Sequence, residues 1–202
     1  MNSTISKWLF RPSEYVSDFK ALFIGLVAIL LSGIINNFSS THFDGVLDVH
    51  IGAEQQTSWL FVGEGFINLI CISGLLFLSG KIFSLSSIRF IDVIGTQAMA
   101  RIPLLIVALS TLLIPHQAVD EFIMAKALNV KADVSIETHQ VLLFVVLMLI
   151  LVLMIIWMVV LMYRAFSVSC NLKGAKGIWI FILALLVAES ISKYVIYLVY
   201  QN

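Results

Sequence analysis

The sequence predicts an all-α protein: a polytopic transmembrane helical bundle of five spans, N-terminus cytoplasmic and C-terminus outside. Three observations predict it. Apolar residues make up 60% of the 202 and charged ones 12%, about half the charged share of soluble domains. Mean hydropathy is +1.04, and five apolar stretches are each flanked by polar segments. The lysines and arginines outside those stretches fall mostly on one side.

The stretches lie at about residues 21–35, 58–79, 91–114, 141–162 and 178–197. They make one membrane domain, 21–202, behind a leader of residues 1–20. In the leader, Trp8, Phe10, Tyr15 and Phe19 alternate with Lys7, Arg11 and Lys20, a mixture suited to the membrane interface. Pro12 suits the first turn of a short helix starting near Arg11. Span one is short enough to resemble a signal-peptide core, but no small-residue cleavage site follows, so it reads as retained.

Span two carries Glu64 and Asn68, four apart on one face. Span three, DVIGTQAMARIPLLIVALSTLLIP, holds Gln97 and Arg101 on one face and Pro103 just beyond. Pro103 lacks the amide that would bond the Met99 carbonyl, which predicts a helix bend beside the charge. Span four has no glycine, alanine, serine or charge, so it reads as the most lipid-exposed helix. Its Met154, Met158 and Met162 read as helix-face packing, not a metal ladder. Span five carries the small-residue stripe Ala184, Ala188 and Ser192, with Glu189 and Lys193 four apart beside it.

Orientation follows from the basic residues. Lys7, Arg11, Lys20, Lys81, Arg89, Arg164, Lys173 and Lys176 lie on one side, and only Lys126 and Lys131 on the other. Eight against two puts the leader inside. Trp59, Tyr194 and Tyr197 then mark the outer interface, Tyr163 and Trp179 the inner. Net charge is zero, so nothing points to nucleic acid. Cys71 and Cys170 fall mid-membrane and in a cytoplasmic loop, so no disulfide framework is expected. Cys71 has no basic neighbour to activate it.

An arginine inside a span needs a protein partner. At 1.5 Å rise per residue, Arg101 lies roughly 13 Å and Glu189 roughly 16 Å from the cytoplasmic edge. Glu64 and Lys193 lie roughly 9 and 8 Å from the outer edge. The depths predict Arg101 paired with Glu189 and Glu64 with Lys193. Asn68 and Gln97 then fill the middle of a polar seam between spans two, three and five. Such a seam either conducts an ion or proton or fixes helix register.

A second constellation lies in the first outer loop, SSTHFDGVLDVHIGAEQQ, with His42-x-Asp44 and Asp48-x-His50. These are weak candidates for a metal such as zinc, because alternate loop spacing fixes no ligand geometry. Asp44-Gly45 reads equally as a turn. The third loop adds Asp120, Glu121, Asp133, Glu137 and His139. Val119, Phe122, Ile123 and Ala127 there suit an interfacial segment, and Ser135 a cap for span four. No metal-binding HExxH or CxxC, catalytic triad, phosphate-cradling loop or nucleotide fingerprint is present. No cofactor and no enzyme activity are expected.

Two stretches, LFRPSEYVSDFK and SSIRFIDVIGTQAMARIPLLI, resemble the Yip-domain family of five-span membrane proteins, in its bacterial branch. The first is similar to the family's segment before span one. The second is similar to its loop into span three, with the late proline at Pro103. The resemblance implies a non-catalytic, multi-pass protein of the bacterial inner membrane. Eukaryotic members are implied to bind Rab GTPases through a longer N-terminus. With twenty residues before span one, that role does not carry over. The expected function is a membrane scaffold or adaptor, its partners the lipid bilayer and an unidentified protein or a second copy. The alternative is a small transporter or ion-conducting protein using the seam.

Overall fold

Inside a bilayer no water reaches backbone amides, so apolar runs satisfy them internally as helices. The computed structural model describes residues 9–51, 58–113 and 137–201. It contains α1 (Asp18–Ser39), α2 (Ser58–Phe83), α3 (Phe90–Met99), α4 (Ile102–Thr111), α5 (Thr138–Ser169) and α6 (Gly174–Tyr200). With α3 and α4 taken as one broken span, five segments are long and apolar enough to cross a membrane. The protein is an all-α, multi-pass membrane protein. A minimal antiparallel pair, β1 (Thr41–His42) with β2 (His50–Ile51), joins Thr41 to Ile51 and His42 to His50.

The spans are longer than their apolar cores. α1 overruns its expected bounds, 21–35, by about a turn at each end. Asp18 in its first turn suits the positive end of the helix dipole. Asn36 and Ser39 are buried in protein, so their polarity does not end the helix. Ser40 ends it instead, in a left-handed conformation with its amide on the Asn36 carbonyl. The fourth and fifth spans exceed their expected bounds at both ends and the second only at its C-terminal end, while the third ends early, at Thr111. α5 starts with the Glu137 amide donating to Gln140 Oε1 at 3.2 Å. Ser135 and the interfacial segment expected near Val119 lie outside the described residues.

The broken third span is the centre of the bundle. Of its apolar window 72% is buried, against 11% for α5, the least buried span. The expected bend is a full interruption. α3 stops at Met99, the Arg101 amide reaches only three residues back to Ala98, and α4 starts with Pro103 in its first turn.

α1 packs most extensively on α3, and α6 on α2. The first pairing depends on glycine. A Cβ at Gly25 would run into the Ala98 carbonyl carbon and stand 2.5 Å from the Ala98 Cβ. One at Gly95 would stand 2.7 Å from the Asp18 carbonyl oxygen. Without side chains at these points the two backbones touch, the close approach that small residues give membrane helices. The stripe Ala184, Ala188 and Ser192 is buried on α6. The leader forms a 3-10 turn at Pro12–Glu14, and Trp157 of α5 donates to the Leu9 carbonyl at 3.0 Å.

Gly25→Leu is therefore expected to destabilise the protein by about 3 kcal/mol or more, from overpacking against a backbone. Gly63 has open space around its Cβ position, and Gly63→Ala should leave stability within about 1 kcal/mol of wild type. Thermal unfolding in detergent micelles compares the two.

Candidate functional site

The polar groups gather where the Ser40–Ile51 loop enters the bundle. Phe43 and Val46 of this loop are buried and belong to the main apolar core. Burying loop backbone requires hydrogen-bond partners for its peptide groups. α2 supplies them for Phe43. Glu64 Oε2 accepts the Phe43 amide at 2.7 Å, and Asn68 Nδ2 donates to the Phe43 carbonyl at 2.6 Å. The i, i+4 spacing of Glu64 and Asn68 thus matches the two sides of one residue's backbone.

The other Glu64 oxygen is also used. His42 Nδ1 lies 2.5 Å from Glu64 Oε1, and the Tyr200 hydroxyl donates to the same oxygen. Tyr200 Oη also lies 2.8 Å from His42 Nδ1, and the imidazole stacks on Phe61 with ring centroids 4.4 Å apart. His42 and Glu64 are both buried.

α6 grips the loop a turn further on. Glu189 Oε2 accepts the Leu47 amide at 2.8 Å. Lys193 pairs with Asp48 at 2.5 Å and with Glu189 Oε1 at 3.5 Å. Gly45 lies against this carboxylate, and a Cβ there would be 2.9 Å from Glu189 Cδ. Asp44, half-buried between the clamps, has its pKa raised by desolvation and then by the Asp48 charge.

The expected pairings are therefore corrected. Glu64 pairs with His42 and not with Lys193, and Arg101 has no ion pair with Glu189. Equal depth fixes the height of two side chains and not the direction each faces. Here the loop occupies the space the pairings required, and its peptide groups take the carboxylates. Nor do the six seam residues form one network. Gln97 turns away to α5, donating to the Met162 carbonyl at 3.0 Å.

The four weak metal candidates are likewise divided. His42 goes to Glu64 and Asp48 to Lys193, leaving Asp44 3.8 Å from an exposed His50. Among the described residues no three His, Cys, Asp or Glu side chains group as metal ligands. Cys71 and Cys170 are free thiols.

Arg101 is placed differently from the rest. It is 1% exposed at the break between α3 and α4, and none of its three guanidinium nitrogens has a hydrogen-bond partner. It helps to wall a small cavity with Ile29, Ser32, Phe43, Phe61 and Gly65.

Tyr200 and the Phe43 backbone are the participants that sequence reasoning missed. The signal for Tyr200 was slight: one more aromatic at the end of an apolar helix. A peptide group carries no residue signature at all. The usable hint was the apolar pair Phe43 and Val46, out of place in a solvent loop. No family model matches the chain, and neither a curated protein nor a solved structure matches it.

Glu64→Leu removes the acceptor for three donors and is expected to cost about 3 kcal/mol or more. Asp48→Asn breaks an ion pair whose partners are 42% and 46% exposed, and should cost under about 1 kcal/mol. Because Arg101 and Glu189 do not pair, Glu189→Leu should not rescue Arg101→Leu. A double-mutant cycle in detergent reads all of these.

Proposed function

We propose that this is a non-catalytic scaffold or adaptor of the bacterial inner membrane, of the kind the Yip-domain resemblance implies. Its leader faces the cytoplasm and its Ser40–Ile51 loop the outside, as the eight-to-two division of basic residues supports. One observation carries the reading. Glu64, the amide nitrogen of Asn68, Glu189 and Lys193 are spent on holding the loop inside the bundle. Polar groups that line a path present free donors and acceptors along it. These are committed to peptide groups and to Asp48, and with buried Phe43 and Val46 they stopper the outer end.

Partners, whether another protein or a second copy, would then meet the exposed surfaces of the leader and helices. Leu9, Phe10, Tyr15 and Phe19 are exposed there. The rival reading, a small transporter or ion-conducting protein, draws on the unpartnered buried charge of Arg101 and on Asn68 Oδ1 and Gln97 Oε1, which are buried without a hydrogen-bond partner.

Cysteine accessibility separates the two. With Cys71 and Cys170 replaced by alanine, single cysteines are placed at Asn68, Thr96, Gln97 and Ser192, all buried. Each is treated from either side of the membrane with an impermeant thiol reagent. The scaffold reading expects no labelling at these depths. Labelling at Asn68 and Gln97 from either side would replace it with the transport reading.

A further inference from the structure

Buried arginines are almost always paired, because guanidinium does not give up its proton and desolvation of the bare charge is costly. Arg101 is the exception in this fold. An arginine near a helix C-terminus ordinarily bonds the last carbonyls. Arg101 follows α3 by two residues and bonds none of them: Nε, Nη1 and Nη2 are all buried without a partner. Glu189 acts on it only through space. Both Glu189 oxygens are already engaged, by the Leu47 amide and by Lys193.

Arg101 lines a cavity between α1, α2, α4 and the inserted loop. Ile29 and Ser32 come from α1, Phe61 and Gly65 from α2, Leu104 from α4 and Phe43 from the loop. The Ser32 hydroxyl spends its proton on the Ala28 carbonyl. No carboxylate lines the space. The space is small, which suits a compact monovalent ion better than a carboxylate or phosphate group.

We propose that Arg101 binds a halide-sized monovalent anion, with chloride the physiological candidate, in the cavity beneath Phe43. The anion neutralises the one buried charge that the described residues leave unpaired. The apolar walls leave the guanidinium fork as its principal donor. The site depends on neither the scaffold nor the transport reading, since an ion can be held without being moved.

The test uses the full-length protein in chloride-free detergent. Chloride-35 NMR is recorded while sodium chloride is added, with sodium gluconate keeping ionic strength constant. Wild type should broaden the chloride line above the detergent blank, bromide should reverse the effect, and Arg101→Gln should reduce it at least tenfold. Broadening that is absent, or that survives Arg101→Gln, overturns the proposal. If Arg101→Gln does not fold, wild-type melting decides. An anion bound only by the folded state raises Tm, by an amount that grows with the logarithm of its concentration above Kd. Chloride and bromide should both do so and gluconate, too large for the cavity, should not; equal Tm in all three overturns the site.

Discussion

The backbone of Phe43 is the point on which the loop end of this protein depends. Its amide and carbonyl would each lose water on entering the bundle, at a cost of about 1–3 kcal/mol apiece if unpaired. Glu64 and Asn68 remove that cost together, at 2.7 and 2.6 Å. One helical turn separates the two side chains, so a straight helix presents an acceptor and a donor to a single peptide residue. With its backbone satisfied, Phe43 can put its ring in the core. The chain from Thr41 to Ile51 follows as an inserted hairpin, and α6 closes over it through Glu189 and Lys193.

The broken third span has a related cause. Pro103 cannot donate to the Met99 carbonyl and its ring crowds the preceding turn. A bend would suffice to relieve that, but the chain goes further and shifts to three-residue hydrogen bonding at Arg101. The interruption is tolerated because this span is the most buried, so its freed peptide groups face protein and not lipid. α1 sits close beside it only because Gly25 and Gly95 lack side chains. Proline at the break and glycine at the crossing are therefore parts of one arrangement: a central helix that is interrupted, and a neighbour near enough to seal it.

Much of this was legible in the sequence where a residue type carries its own physical consequence. Long apolar runs gave the helices, Pro103 the interruption, and the absence of small or charged residues the exposed face of α5. Glu64 with Asn68, and Glu189 with Lys193, stood out as polar pairs at helical spacing. Their partners did not. Depth along a helix is read by counting residues, but azimuth depends on packing that one span cannot reveal. So Arg101 and Glu189 matched in height while facing different surroundings. The Ser40–Ile51 segment read as part of an outer loop whose histidines and aspartates were weak metal candidates, whereas Phe43 and Val46 decide its fate through apolar burial. Gly25 and Gly95 were silent for the same reason: an absent side chain announces nothing until its neighbour is known.

The two clamps on the loop differ in strength, and the difference bears on what the bundle can do. The α6 clamp includes Lys193 and Asp48, both about half exposed, an ion pair that water and salt weaken to about 1 kcal/mol or less. The α2 clamp is buried, and Glu64 there bonds His42 Nδ1, the Tyr200 hydroxyl and the Phe43 amide at once. Loss of the loop's grip should therefore begin on the α6 side, around Leu47 and Asp48, with Phe43 held to the last. Phe43 also walls the cavity that Arg101 lines. Movement of the half-exposed clamp alone leaves the buried contacts of Phe43 in place. Withdrawing Phe43 from the bundle means breaking the buried contacts of Glu64 and Asn68 together, so most of the cost of freeing the loop resides on α2.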